Sequence, residues 1–135
     1  MQHKKKAFAG ALLAALLFCT LFAACGKQPL PQGVDESEVE LSAEATIRML
    51  NEAQYALLMD TMDDTMKSAA TAEEWASAWT PAHEAAGEFL KIKEMDIFGK
   101  DGYSVAVVKA LYENGIVTFT LSYDDALRCA GLYFK

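Results

Sequence analysis

Residues 114–123 read NGIVTFTLSY and combine a tight turn with a strand. The pair Asn114 and Gly115 is the strongest short signal for a β-hairpin. After it, apolar and polar side chains alternate, which is the period of a strand with one buried face. The predicted buried side chains are Val117, Phe119, Leu121 and Tyr123, and those on the other face are Thr118, Thr120 and Ser122.

Turn signals on both sides extend this strand into a sheet. The segment GKDG, residues 99–102, separates two earlier strands, and Asp124 with Asp125 marks a last turn. Each spacing suits a direct hairpin connection between neighbouring strands. The sequence from Glu88 onward therefore predicts a four-stranded antiparallel meander.

The first predicted strand changes phase along its length. Leu90 and Ile92 are in one phase, whereas Met95 and Ile97 are in the other. An extra residue near Lys93 or Glu94 would restore the alternation, so we predict a β-bulge there. Because a bulge bends a strand, the sheet is expected to curl.

Helical periodicity precedes the sheet. One face is formed by Ile47, Leu50, Gln54, Leu57 and Leu58, with Ser42 as the expected cap. A methionine stripe of Met59, Met62 and Met66 follows after a bend expected near Asp60. Flexible methionine side chains in such a row are typical of core packing.

A second helix begins with a capping box, Thr71 followed three residues later by Glu74. Its apolar face carries Trp75, Ala78, Trp79, Ala82 and Ala86. Pro81 either kinks this helix or opens a short new one capped by Thr80, and Gly87 ends it. Helices followed by a curled antiparallel sheet predict an α+β domain in which the sheet wraps around the helices.

The N-terminal region has the pattern of an export signal. His3, Lys4, Lys5 and Lys6 precede residues 7–24, which are apolar and lack charge. The run ends in LFAACG, residues 21–26, which resembles the bacterial lipoprotein signal: small residues before a cysteine that takes a diacylglyceryl group. We therefore predict a signal peptide over residues 1–24 and lipidation of Cys25.

Two other interpretations of this region remain open. A retained transmembrane helix needs about 20 apolar residues, a length that this run barely approaches. An ordinary secretory signal would leave a soluble protein with a thiol at its new terminus. Lipidation of Cys25 predicts a chain anchored to the outer face of the bacterial cytoplasmic membrane, where two acyl chains give durable binding.

The residues after Cys25 divide into a spacer and one domain. Residues 25–42 contain two prolines and the acidic side chains of Asp35, Glu36, Glu38 and Glu40, which predicts a flexible acidic tether. Residues 43–135 suffice for a single α+β domain. Without the signal peptide, nineteen acidic residues face nine basic ones, a balance that excludes nucleic acid as a partner.

No cofactor or metal site is predicted. Cys129 is the one cysteine left beside Cys25, and it is expected to be a small buried hydrophobe. A single histidine and a single thiol are too few for zinc. Asp60, Asp63 and Asp64 lack the glycine and terminal glutamate of a calcium loop.

The chain resembles the small bacterial proteins of domain of unknown function 3887, placed in the cone-shaped nuclear transport factor 2-like superfamily. The similarity spans about residues 47–134. It rests on Trp79, Gly87 and Phe89, on Asp101, Gly102 and Tyr103, on Val117, Thr118 and Phe119, and on the ending AGLYF, residues 130–134. The last turn departs from that pattern, because Asp125 and Ala126 replace the usual glycine or asparagine.

This resemblance implies a cone whose wide end forms a cavity, and related cones hold ligands or active sites there. The residues expected to line such a pocket are Trp75, Trp79, His83, Phe89 and Phe119. No catalytic set is predicted. The alternative is a small enzyme in which His83 and an inward carboxylate such as Asp96 move protons.

The leading functional hypothesis is a non-enzymatic, membrane-anchored lipoprotein. Its domain would bind a small apolar ligand or another protein, including a second copy of itself as a homodimer. A further hypothesis is an accessory subunit of an envelope machine.

Overall fold

A computed structural model describes residues 26–135, which form a helical layer followed by a sheet. The helices are α1 (Glu36–Asn51), α2 (Tyr55–Asp60), α3 (Asp64–Ala69) and α4 (Ala72–Ala86). The strands are β1 (Phe89–Lys100), β2 (Tyr103–Tyr112), β3 (Gly115–Tyr123) and β4 (Cys129–Phe134). The predicted signal peptide and Cys25 lie outside the described residues. Within residues 26–135, no helix has the length and apolar character needed to cross a bilayer.

The strands follow one another in the order β1-β2-β3-β4, and every neighbouring pair is antiparallel. The predicted α+β architecture with a four-stranded meander is thus confirmed. The pairing of β1 with β2 shifts between Ile92 and Glu94, so Lys93 is the extra residue of the predicted bulge. A second shift between Phe89 and Lys91 adds another irregularity at the start of β1.

The first turn lies where the sequence predicts it, and the second is shifted by one residue. Asp101 and Gly102 connect β1 to β2 with φ angles of 53° and 86°, the left-handed conformation of a two-residue hairpin loop. Between β2 and β3 the loop residues are Glu113 and Asn114, because Gly115 already pairs with Tyr112. The second turn is therefore one residue earlier than its Asn-Gly pair suggests.

Helix α1 begins six residues before the predicted cap. Asp35 is the N-cap, and its carboxylate accepts a hydrogen bond from the backbone N–H of Ser37 at 3.2 Å. Glu36 and Glu38 lie in the first turn, where carboxylates stabilise the positive end of the helix. Ser42 instead donates to the carbonyl of Glu38 at 2.9 Å inside the helix. The prediction of a flexible tether is therefore wrong for residues 36–42, which are helical.

The segment before α1 is also held by contacts. Gln28 and Gly99 form an antiparallel bridge, with N···O distances of 2.8 and 2.7 Å. The side chain of Gln28 accepts a hydrogen bond from the backbone N–H of Asp101 at 3.2 Å. A turn closes from Val34 N to Pro31 O at 3.1 Å. Residues 28–35 thus lead from the end of β1 to the helical layer, where Val34 packs against the core.

The predicted continuation of the first helix to Leu58 is wrong. Helix α1 ends at Asn51, and Ala53 takes a left-handed φ of 57° before α2 starts. This break at residues 52–54 comes in addition to the predicted one near Asp60, where α2 ends and after which α3 starts at Asp64. In α2, Leu58 is fully buried whereas Leu57 is 53% exposed, so the apolar face narrows after the break.

Helix α4 agrees with its predicted start and end. The hydroxyl of Thr71 accepts a hydrogen bond from Glu74 N at 3.2 Å. Pro81 lies inside the helix, which continues to Ala86. Gly87 has a φ of 82°, and its N–H donates to His83 O at 2.9 Å. This left-handed position favours glycine as the stop.

The core lies between the helices and one face of the sheet. Alternate residues of β2 and β3 are buried there, namely Ala106, Val108, Ala110, Tyr112, Val117, Phe119, Leu121 and Tyr123. Helix α1 contributes Val39, Ala43, Ile47 and Leu50 to the same core. The alternation predicted for β3 is therefore confirmed.

Candidate functional site

A cleft of about 480 Å³ opens between α1 and the start of β1. Its volume lies within the range of small-molecule sites, about 300–1,000 Å³. Eight residues line it: Glu44, Ile47, Arg48, Asn51, Glu52, Phe89, Lys91 and Ile92. The two register shifts of β1 fall among its lining residues, so the cleft is located where the edge strand departs from regular pairing.

The lining combines an apolar base with a charged rim. Ile47 is 1% exposed, Ile92 is half-buried, and Phe89 is 38% exposed. On α1, Glu44 and Arg48 are one turn apart, and Lys91 lies across from them on β1. Both signs of charge therefore surround an apolar surface. Such a lining suits a ligand with an apolar body and a polar end.

A hydrogen bond fixes one wall of the cleft. The hydroxyl of Tyr112 on β2 donates to Asn51 Oδ1 at 2.7 Å, and Tyr112 is 1% exposed. Burial raises the pKa of Tyr112 to about 12, although the bond to Asn51 acts in the opposite direction. The phenol therefore stays protonated at neutral pH and remains a donor. This bond leaves the amide NH₂ of Asn51 as a donor group at the cleft.

An aromatic cluster lies next to this cleft, and its rings pack directly against one another. Trp79 is fully buried, and its ring centroid is 5.1 Å from that of Phe134 and 5.5 Å from those of Phe119 and His83. His83 stacks on Trp79 with an interplanar angle of 17°. Edge-to-face and stacked contacts of this kind stabilise a core. The position where the sequence placed a pocket is therefore filled by side chains.

The five predicted pocket residues separate into two groups. Trp79, His83 and Phe119 belong to the aromatic cluster, and Trp75 is partly buried against the core. Phe89 alone lines the cleft, and its ring also contacts Tyr112 at 5.5 Å. Sequence reasoning missed the α1 side of the cleft. The predicted bulge in β1 was the one signal that pointed to this end of the sheet.

His83 and Asp96 are not brought together. His83 contacts Tyr112 with ring centroids 6.1 Å apart, whereas Asp96 pairs with Val107. Those two positions on β2 are five residues apart, about 17 Å along a strand. The carboxylate of Asp96 forms an ion pair with Lys27. The arrangement gives His83 no carboxylate partner at position 96.

The remaining thiol and the acidic clusters have structural positions. Cys129 is fully buried, and its thiol lies 3.4 Å from the carbonyl oxygen of Gly131. Burial raises the pKa of this thiol to about 11, so it is neutral and unreactive at pH 7. Asp63 caps α3 by accepting from Met66 N at 2.8 Å. Across residues 26–135, no group of three or more His, Cys, Asp or Glu side chains could hold a metal ion.

Comparisons with known proteins agree with the fold. An NMR structure of a protein from Ruminococcus gnavus ATCC 29149 is similar, with a TM-score of 0.64 and 23% identity. The match covers 79% of this chain and 96% of that one. No curated protein matches the sequence. A family model described as "Protein of unknown function (DUF3887)" matches residues 43–132, two thirds of the chain. The chain therefore belongs to the DUF3887 family.

Proposed function

We propose that this protein is a lipid-anchored extracytoplasmic protein whose α+β domain binds a small ligand in the cleft between α1 and β1. The anchor is supported by the charged start, the apolar run of residues 7–24, and the small residues before Cys25. Ligand binding is supported by the cleft itself. The main observation that supports ligand binding is the apolar base of the cleft, formed by Ile47, Ile92 and Phe89, beneath a charged rim.

The cleft favours one class of ligand. Its apolar base is small, and its rim carries Glu44, Glu52, Arg48 and Lys91. An apolar molecule without polar groups would leave these rim groups without ligand partners. A small amphipathic molecule, with an apolar body and one charged or hydrogen-bonding end, would use both parts of the lining.

The ligand is sought first by native mass spectrometry of the full protein extracted from membranes in mild detergent. A bound small molecule of reproducible mass is expected. Titration with 1-anilinonaphthalene-8-sulfonate, which has an apolar body and an anionic end, then supplies a defined probe. Ile92→Trp fills the cleft and is expected to weaken probe binding at least tenfold.

Leu90→Trp is the matched control. Leu90 lies two residues away on β1, is 56% exposed and is not among the cleft-lining residues. It adds the same indole outside the cleft and should leave binding unchanged. Equal probe affinity in both variants would refute ligand binding at this cleft.

The anchor has its own test. Labelled palmitate should be incorporated into the parent protein, and Cys25→Ser should abolish both incorporation and membrane retention. Cys129→Ser is the control, because this buried thiol is the other cysteine of the processed chain. Incorporation that persists in Cys25→Ser would refute the anchor.

A further inference from the structure

The net negative charge of the processed chain is concentrated in the helical layer. Residues 35–86 carry twelve carboxylates and two basic side chains. Residues 88–135, which contain the sheet, carry seven carboxylates and six basic side chains. The charge distribution of the domain is therefore asymmetric, with an acidic helical layer and a nearly neutral sheet.

The outer face of the sheet, the face turned away from the helices, is locally positive. The strand pairing places Lys109 and Lys135 on this face, because their neighbours in sequence point into the core, and Lys100 pairs with Tyr103 on the same face. The carboxylates on the same face are Glu94 and Asp96. Glu94 is 3.3 Å from Lys109, and Asp96 is paired with Lys27. Lysines thus outnumber carboxylates on the outer face.

Exposed apolar side chains lie among these lysines. Tyr103 and Ile116 are each 44% exposed, and Tyr133 is 62% exposed. All three occupy outer-face positions, because each is next in sequence to a residue that faces the core. These neighbours are Ser104, Val117 and Phe134, and Phe134 pairs with the buried Phe119. Tyrosine and lysine side chains together are typical of surfaces that contact lipid headgroups.

The N-terminal segment reaches the sheet on this same face. The amine of Lys27 lies 5.3 Å from the ring centroid of Phe98 and is paired with Asp96, both outer-face residues. The next residue, Gln28, is fixed to Gly99 by two backbone hydrogen bonds. Only three positions of the sequence, at most about 11 Å of extended chain, separate the proposed anchor residue from the bridge at Gln28.

We propose that the outer face of the sheet lies against an anionic membrane surface, with the acidic helices turned to water. The inference rests on the lipid anchor proposed above. The anchor holds this edge of the sheet close to the headgroups, and the charge asymmetry selects the face. Because the field of a charged membrane decays within about 8 Å at physiological salt, the layer nearest the lipid determines the orientation.

The orientation has a consequence for the cleft. Phe89 and Ile92 pair with Tyr112 and Ala110, which face the helices, so the cleft lies on the water-facing side of the sheet. A ligand would reach it from the aqueous phase and not from the bilayer.

The test uses the full acylated protein in vesicles that contain phosphatidylglycerol. A fluorophore is attached at Thr118→Cys on the outer face or at Ser77→Cys on α4. The buried thiol of Cys129 is protected, and the unsubstituted protein serves as the blank. Quenching by a spin label on the lipid headgroup should be at least threefold greater at position 118. Equal quenching, or stronger quenching at position 77, would overturn the orientation.

Two charge-reversal variants distinguish the effect of electrostatics on the orientation from the effect of the anchor alone. The quantity compared is the ratio of quenching at position 118 to quenching at position 77. Lys135→Glu on the outer face should reduce this ratio at least twofold in phosphatidylglycerol vesicles but not in phosphatidylcholine vesicles. Lys67→Glu on α3 makes the same change in net charge on the other side and should not reduce the ratio. Identical behaviour of the two variants would remove the electrostatic part of the proposal.

The mass of the same sample shows whether the protein is acylated, and so distinguishes a missing anchor from a wrong orientation. An unacylated protein would refute both the proposed anchor and this inference. An acylated protein with no difference between the two probes would refute the orientation alone. Sedimentation as a dimer, with the probe at position 118 shielded from the lipid quencher, would assign the outer face to a second copy and also overturn the proposal.

Discussion

The hydroxyl oxygens of Thr46 on α1 and Tyr123 on β3 lie 2.7 Å apart in the core, where each residue is 1% exposed. The Thr46 hydroxyl also lies 2.9 Å from the carbonyl oxygen of Ser42. Because a hydroxyl has a single hydrogen, Thr46 donates to Ser42 and Tyr123 donates to Thr46. A directed chain of two hydrogen bonds therefore connects the sheet to the helix.

The two ends of this chain should differ in their effect on stability. Thr46→Val removes the acceptor and leaves the buried Tyr123 O–H without a partner, which costs about 1–3 kcal/mol. Tyr123→Phe removes the donor and leaves Thr46 bonded to Ser42, so it should cost about 1 kcal/mol. Urea denaturation of the two variants and the parent protein measures both. A larger loss for Tyr123→Phe would contradict the assigned direction.

Alkaline pH should destabilise the fold through its buried tyrosines. Burial raises the pKa of Tyr112 to about 12 and raises that of Tyr123 as well. Above pH 10 the unfolded chain releases phenol protons that the folded chain retains, so the free energy of unfolding falls as pH rises from about 10 to 12. Below pH 10 these groups are protonated in both states and contribute no slope.

Thermal melting between pH 8 and 12 measures this dependence. Tyr112→Phe should make the slope shallower. A melting temperature that stays constant from pH 10 to 12 would contradict the role of the buried phenols.

Local signals in the sequence were sufficient for much of the fold. The capping box of Thr71 and Glu74 involves groups three residues apart, so its chemistry is visible in the chain. The alternation in β3 is equally local, and the phase change in β1 predicted a bulge near Lys93 or Glu94, which the structure has at Lys93. These features depend on neighbours within one element.

Features that depend on distant contacts could not be inferred in the same way. Asp35 and Ser42 are both good N-cap residues, and the chain does not indicate which one is used. The bridge between Gln28 and Gly99 joins residues 71 positions apart. The cleft depends on how α1 packs on β1, whereas the resemblance to cone-shaped proteins directed attention to Trp79. Packing that joins separate elements is the part that sequence patterns leave open.

The loop before β4 should depend on one carboxylate. Asp124 accepts hydrogen bonds from Ala126 N at 3.0 Å and from Arg128 N at 2.8 Å. These two bonds hold the turn in the absence of the glycine or asparagine that is usual there. Asp124→Ala should cost about 1–2 kcal/mol, because it removes acceptors for two backbone donors. Asp124→Asn keeps one oxygen acceptor and should restore most of that stability in thermal melts. Equal losses for Ala and Asn would show that the charge matters more than the backbone bonds.

The docking of the N-terminal segment should depend on Gly99. A Cβ added at this position would lie 2.0 Å from the backbone oxygen of Pro29, whereas the φ of Gly99 is not left-handed. Gly99→Ala should therefore displace residues 28–30 without straining β1 itself. Hydrogen exchange at Gln28 N–H should accelerate at least tenfold, and proteases should cut the segment sooner. Gly131→Ala is the matched control, because its added Cβ would approach Ser122 side-chain atoms no closer than 3.3 Å. Unchanged exchange at Gln28 in Gly99→Ala would contradict the close packing of this segment.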